Sequence, residues 1–178
     1  MKATNLSIPD VVLIEPEVYS DERGFFFESF NQRKLEEIIG VSVNFVQDNQ
    51  SCSTRHVLRG LHYQVPPMSL AKLVRVVSGK VFDVAVDVRR HSPTYRQWVG
   101  EILSAENRKQ LWIPEGFAHG FLTLSDSASL LYKVTTDYSK KCERSILWKD
   151  SAINIDWKNI KEPILSSKDF NAKFLLEV

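Results

Sequence analysis

The stretch from Val57 to Gln64, V-L-R-G-L-H-Y-Q, places an imidazole, a guanidinium and a glycine within one strand length. An unperturbed imidazole titrates near neutral pH, so a strand histidine with polar neighbours is suited to moving protons. Alternation along an extended chain predicts that Leu58, Gly60, His62 and Gln64 share one face and Val57, Arg59, Leu61 and Tyr63 the other. Arg59 then points away from His62 unless Gly60 hosts a bulge that re-aims one of them. A lone strand histidine can equally be a hydrogen-bonded core side chain, so only its neighbours give it a chemical role. Arg23 and Lys72 join Arg59 as cations at turn or strand positions. Each alone reads as a surface charge, yet strands of one barrel can converge several cations on an anion such as a pyrophosphate. Gln47, Asp48 and Asn49 add polar contacts, and Phe25 to Phe27, Tyr132 and Tyr138 offer rings for stacking. Such a set suits a nucleotide-linked substrate.

The elements that must position these groups are short and mostly extended. Val11 to Tyr19 is strand-like, and Asp21-Glu22-Arg23-Gly24 is a turn whose glycine can take positive φ. Phe25, Phe26 and Phe27 put aromatics on both faces of the following segment, which predicts burial in a sandwich or against a second subunit. Asn31 can cap a short helix running through Ile39, with Gly40 at its end. From Val43 the pattern turns to strands: V-N-F-V-Q, the central stretch, K-L-V-R-V-V, and K-V-F-D-V-A-V-D-V. In the last, Phe82, Val84, Val86 and Val88 alternate with Asp83, Ala85 and Asp87, a period of two. Further strands are expected at Trp98 to Leu103, Gln110 to Ile113, Gly120 to Leu124, Ser129 to Thr135 and Ser145 to Trp148. This spacing, without βαβ alternation or repeats, indicates an all-β sandwich or barrel, followed by a tail of loop and short helix.

At 178 residues the chain suits one domain with a real core. With 23 basic against 22 acidic residues, the net charge of +1 offers no global field for nucleic acid or a membrane surface, so any anion site is local. Cys52 and Cys142 are far apart and lack metal-ligand spacing, and Met1 to Asp10 has no apolar core of a signal peptide, so a reducing, cytoplasmic setting is expected. No apolar run approaches bilayer-spanning length.

Gly60-x-His62-x-Gln64, followed by Pro114-x-Gly116-x-x-His119, resembles the two signature motifs of the cupin superfamily, whose fold is a small jelly-roll barrel. Metal-binding cupins bring three imidazole or carboxylate ligands onto one cation, and here an amide, Gln64, stands at the second position. An amide oxygen is a poor transition-metal ligand, so no metal is expected and His62 and His119 are free for proton transfer or hydrogen bonding.

A closer resemblance follows from R-G-F-F-F-E (23–28), F-V-Q-D-N-Q-S (45–51), V-L-R-G-L-H-Y-Q (57–64), A-K-L-V-R-V (71–76), Q-L-W-I-P-E-G-F-A-H-G-F (110–121), Y-K (132–133) and S-S-K-D (166–169). In this order the segments resemble the dTDP-4-dehydrorhamnose 3,5-epimerase family from about Val11 to Asp169, with the tail after Asp169 departing from the family's run of small residues. The resemblance implies an all-β, cupin-type jelly-roll barrel with short flanking helices, one domain over 1–178 with N-terminal dimerisation strands and a C-terminal tail. It implies a dTDP-linked 4-keto-6-deoxy sugar as substrate, inverted at the carbons on both sides of its ketone, with no cofactor. By resemblance His62 is the base, Asp169 its paired carboxylate, Tyr132 the acid on the opposite ring face, and Lys72 the cation holding the enolate oxygen. Arg23, Phe26, Glu28, Gln47, Asn49, Arg59, Lys72, His119, Tyr138, Glu143 and Lys168 resemble substrate-binding positions. The segment Arg23 to Glu28 is implied to reach the other subunit's site, hence a twofold homodimer. The rival activities are a single-carbon epimerase or a ketoisomerase on a related dTDP-sugar, and Tyr132, as a second proton donor, favours double inversion. A non-catalytic sugar-binding jelly roll would need neither Lys72 nor a proton relay, and a metal-dependent cupin oxygenase would need ligands that Gln64 denies.

Overall fold

The computed structural model describes residues 1–178 and contains thirteen strands. Chain order is β1 (Lys2–Asn5), β2 (Val12–Glu15), β3 (Tyr19–Asp21), β4 (Gly24–Phe26), α1 (Gln32–Ile39), β5 (Gln47–Thr54), β6 (Leu58–Gln64), β7 (Lys72–Ser78), β8 (Lys80–Asp87), β9 (Trp98–Ser104), β10 (Gln110–Ile113), β11 (Phe117–Thr123), β12 (Ser127–Val134), β13 (Glu143–Ser145), α2 (Ser167–Phe170) and a 3-10 turn at Leu175–Glu177. A six-stranded sheet, β1-β2-β10-β7-β12-β5, faces a five-stranded one, β13-β6-β11-β8-β9, and every pairing is antiparallel. This is the expected cupin-type jelly roll. The hairpin β3-β4 stands apart from both sheets. No helix is long and apolar enough to cross a membrane.

Three apolar clusters explain why the strands carry so many β-branched and aromatic residues. Between the sheets, Val74, Val76 and Leu130 cluster with Val81, Ala85, Leu103, Phe117 and Phe121. On the outer face of the five-stranded sheet, Phe82, Val84, Val86, Leu58 and Leu61 are covered by the tail through Ile153, Trp157 and Leu175. On the outer face of the six-stranded sheet, Val12, Ile14, Leu73 and Trp112 are covered by Leu35 of α1. β8 is therefore buried on both faces, and its aspartates Asp83 and Asp87 lie inside rather than in water. Asp87 accepts hydrogen bonds from Arg89, Ser92 and Thr94. Burial opposes its charge, but these donors hold its carboxyl down at about 2.

Helix α1 forms as its sequence indicates. The Asn31 side chain accepts from the Lys34 amide at 3.1 Å, and Gly40 ends the helix at φ 74°. Five expectations need correction. Val11 to Tyr19 divides into two strands, with the chain leaving the sheet after Glu15. Residues 43–46 are not a strand, because Val43 and Phe45 pack against the cluster under α1, and pairing begins at Gln47. The strand after Gly116 starts at Phe117 rather than Gly120, and the one before Trp148 is confined to Glu143–Ser145. Phe25 and Phe26 are not buried within the sandwich, being 58% and 67% exposed in the single chain.

Candidate active site

Beside the inter-sheet core, against Phe121 and Tyr132, the barrel opens into a cavity of about 540 Å³, with a smaller recess of about 200 Å³ next to it. Asn49, His62, Lys72 and Tyr132 line both, so the two form one cleft.

β6 brings His62 into this cleft through an irregularity. His119 of β11 pairs with His62 and Phe121 with Arg59, so Gly120 alone faces both Gly60 and Leu61. That is a bulge at Gly60, where φ is 124°. A Cβ on Gly60 would lie 2.5 Å from the Gly120 Cα and 2.8 Å from the His119 carbonyl oxygen, so only glycine lets the strands approach. Strict alternation consequently fails: Leu58 and Leu61 both pack under the tail, while Arg59 and His62 both reach the cleft. Arg59 Nε donates to Ser53 Oγ at 3.0 Å, which steadies its guanidinium at the mouth.

α2 supplies the partner of His62. Ser166 caps this single turn by accepting from the Asp169 amide at 3.1 Å, and its hydroxyl donates to Asp169 Oδ2 at 2.9 Å. The other carboxylate oxygen, Oδ1, lies 2.5 Å from His62 Nε2. Burial alone would push the Asp169 carboxyl up, but the hydrogen bond and charge of His62, with Ser166 and Lys168, hold it below the usual carboxylate range.

β7 and β12, neighbours in the six-stranded sheet, carry Lys72 and Tyr132 across from His62. Lys72 is 8% exposed, and its Nζ lies 3.4 Å from the His62 carbonyl oxygen and 5.9 Å from the centre of the Tyr132 ring. Burial pushes its ammonium down to about 8, against the raising influence of Asp83 and Glu143. Tyr132 is half-buried, and burial pushes its phenol up, so it keeps its proton. At the rim Glu143 joins Tyr138 and Lys168: the Tyr138 hydroxyl donates to Oε2 at 3.1 Å and Lys168 Nζ to Oε1 at 2.7 Å. Gln47 donates to Asn49 Oδ1 at 2.6 Å on the floor of the recess.

The cleft thus gathers His62, Asp169, Lys72, Tyr132, Gln47, Asn49, Arg59, His119, Tyr138, Glu143 and Lys168. Arg23, Phe26 and Glu28 are not among its walls. Arg23, 87% exposed at the hairpin tip, pairs with Asp21, and Glu28 pairs with Lys34 beside α1. Gln64 is spent on the backbone: its amide donates to the carbonyls of Met68 and Asp137 and accepts from the Ser139 amide. His119 has both ring nitrogens facing protein groups, Lys72 and Asp83.

Three residues of the site escape the sequence reading. Asp83 lies fully buried behind His119, and its signal was a carboxylate within an otherwise apolar strand. Ser166 holds Asp169, and a serine three places before an aspartate is a capping pattern. Ser51 turns a buried hydroxyl without a partner to the cavity wall, and nothing in its local sequence marks it.

The family model described as dTDP-4-dehydrorhamnose 3,5-epimerase matches residues 5–177. The dTDP-4-dehydrorhamnose 3,5-epimerase of Shigella flexneri is 59% identical over 173 residues, 97% of this chain and 95% of that one. The crystal structure of dTDP-6-deoxy-D-glucose-3,5-epimerase from Legionella pneumophila, in complex with dTDP-4-keto-L-rhamnose, superposes with a TM-score of 0.96 at 50% identity, covering 99% of this chain and 94% of that one. A 3'-monoepimerase from Streptomyces bikiniensis, in complex with dTDP-quinovose, superposes with a TM-score of 0.89 at 35% identity over 96% of this chain and 86% of its own. That monoepimerase has also been crystallised with one histidine and one tyrosine replaced. The chain belongs to the dTDP-4-dehydrorhamnose 3,5-epimerase family.

Proposed function

We propose that the protein inverts carbons 3 and 5 of dTDP-4-dehydro-6-deoxy-D-glucose, giving dTDP-4-dehydro-L-rhamnose for dTDP-L-rhamnose biosynthesis, with no cofactor. The observation that carries this reading is the opposition of His62, on the five-stranded sheet, to Tyr132, on the six-stranded sheet, across one cleft with Lys72 between them.

Inversion next to a ketone needs a base on one ring face, an acid on the other and a partner for the oxygen that becomes negative between them. His62 takes the α-proton, and Asp169, ionised and 2.5 Å away, orients the ring and favours the imidazolium that forms. The electron pair left at carbon moves to the carbonyl oxygen, where the Lys72 ammonium meets it. Tyr132 then delivers a proton to the opposite face of the same carbon; once His62 has released its proton to solvent and Tyr132 has taken one up, the cycle repeats on the other side of the ketone. Arg59, Gln47, Asn49, His119, Tyr138, Glu143 and Lys168, which line the same cleft, bind the sugar, diphosphate and nucleobase. Arg23, Phe26 and Glu28 complete the site of a second copy, making the working unit a homodimer.

A tyrosine alone does not rank double against single inversion, since a tyrosine was also a target of mutation in the monoepimerase. Identity favours double inversion: 59% to a 3,5-epimerase against 35% to the 3'-monoepimerase. The deciding experiment is incubation with dTDP-4-dehydro-6-deoxy-D-glucose in deuterated water, read by NMR. Deuterium at both carbons with inverted product is expected; label or inversion at one carbon alone would move the assignment to a monoepimerase. His62→Ala is expected to lose about 10²–10⁴-fold in turnover, the usual worth of a positioned base, while still binding dTDP in calorimetry. Undiminished turnover would remove it from that role.

A further inference from the structure

Lys72 carries the charge that meets the enolate in the reading above, yet it lies in a buried setting that strips an ammonium of water. We propose that Asp83, buried behind the cleft on β8, is a positioning residue: it holds His119 as a neutral imidazole protonated on Nε2, which turns the bare Nδ1 towards Lys72 and keeps that side chain an ammonium aimed into the cleft. The proposal rests on the epimerase reading only for the use made of Lys72; the contacts stand without it.

His119 Nε2 is 3.0 Å from both carboxylate oxygens of Asp83. A carboxylate only accepts, so Nε2 carries the proton. In a neutral ring Nδ1 is then an acceptor, and Lys72 Nζ lies 3.4 Å from it. The ammonium thus has two acceptors, this nitrogen and the His62 carbonyl oxygen at 3.4 Å. Burial pushes His119 down, against the charge and hydrogen bond of Asp83, so the ring does not take the second proton that would repel Lys72. The other groups facing Lys72 are Glu143 from β13, which favours its charge, Lys168 from α2, which opposes it, and the Tyr132 ring from β12. His62 of β6 faces His119, and its charge disfavours a second proton there. Glu143 is already paired with Lys168 and Tyr138, which leaves Asp83 as the carboxylate acting on Lys72 through a single intervening ring.

Replacing the carboxylate by an amide removes the negative charge and the compulsion on the tautomer together, and both changes disfavour the Lys72 ammonium. The first test needs no substrate. Lys72 is acetylated competitively with acetic anhydride across a pH series in the unaltered protein and in Asp83→Asn, and its modification is read by mass spectrometry. The midpoint of Lys72 reactivity is expected near pH 8 in the unaltered chain and at distinctly lower pH in the variant. The alkaline limb of kcat/KM should move the same way, so that the deficit of Asp83→Asn widens several-fold as pH rises. Coincident Lys72 titrations, or a deficit that is uniform across pH, overturn the proposal and leave Asp83 a structural residue. Should Asp83→Asn not fold, nitrogen-15 NMR of the histidines in the unaltered protein decides: a His119 ring bare at Nδ1 around neutral pH upholds the proposal, and one protonated at Nδ1 ends it. If the unaltered protein fails to epimerise the dTDP-keto-sugar, the functional reading falls while the lysine titration still judges Asp83.

Discussion

A carboxylate buried beside an imidazole helps the fold only while it stays ionised. Asp169 is held in that state by His62, Ser166 and Lys168 against the pull of burial. Because its folded carboxyl titrates below the ordinary range, its contribution to stability is fully present above the unfolded carboxylate value and is lost as pH falls through the folded one. Thermal unfolding measured across the acid range is therefore expected to show a fall in Tm to which Asp169 adds a part, alongside other lowered carboxylates such as Asp87, so that Asp169→Asn is less stable at neutral pH and closer to the unaltered protein in acid. A Tm difference independent of pH would mean that the fold does not hold Asp169 ionised. Ser166 belongs to the same arrangement, since one hydroxyl both caps α2 and bonds Asp169. Ser166→Ala should cost about 1 kcal/mol, as lost N-caps do, and should lower kcat more than it raises KM for the dTDP-sugar. The opposite split, with KM alone affected, would separate Ser166 from the proton transfer.

The strands show where pattern reading works and where it stops. Gln110 to Ile113 was legible to the residue because apolar side chains on both its faces meet core clusters, and α1 was legible from Asn31 and Gly40 because its caps have a fixed geometry. β5 was invisible: Q-D-N-Q-S-C-S-T has no apolar face, since Gln47, Asn49 and Ser51 point at a polar cleft instead of a core. The same cause hid Asp83, whose side chain is buried because the tail covers one face of β8 and the barrel interior takes the other. Alternation along β6 failed only at the bulge, and the conditional role of Gly60 was the part of the pattern that mattered: it is what lets Arg59 and His62 share the cleft. Gly60→Ala should accordingly do more than destabilise. A side chain held at that φ costs about 1–3 kcal/mol even before its contact with Gly120. If the strands part to make room, His62 leaves Asp169. Tm and turnover should fall together, with turnover not recovering at temperatures where the variant is folded. Full activity in the folded fraction would mean that the bulge serves packing alone.

At the scale of the whole molecule, one chain gathers all the site residues expected from the sequence into the cleft except three. Arg23, Phe26 and Glu28 belong to the hairpin β3-β4 and the segment after it, whose aromatic rings stand in solvent in the single chain. An exposed pair of phenylalanines beside a cation is costly on an isolated surface and useful on one that docks. If the hairpin serves a second copy, sedimentation should give a dimer of the 20.5 kDa chain, and the dependence should be visible in trans. A chain with His62→Ala keeps its hairpin but lacks its base, and a chain with Arg23→Ala keeps its base but offers its partner a defective hairpin. Refolded together in equal amounts, half of the dimers pair one with the other, and in each of these one site takes His62 from one chain and Arg23 from its partner. About a quarter of all sites is then intact, so kcat/KM at low substrate should recover to roughly that share of the unaltered value, well above either parent. Recovery no greater than the mean of the two parents would place Arg23 in service of its own chain or outside the site altogether, and the twofold arrangement would have to be given up.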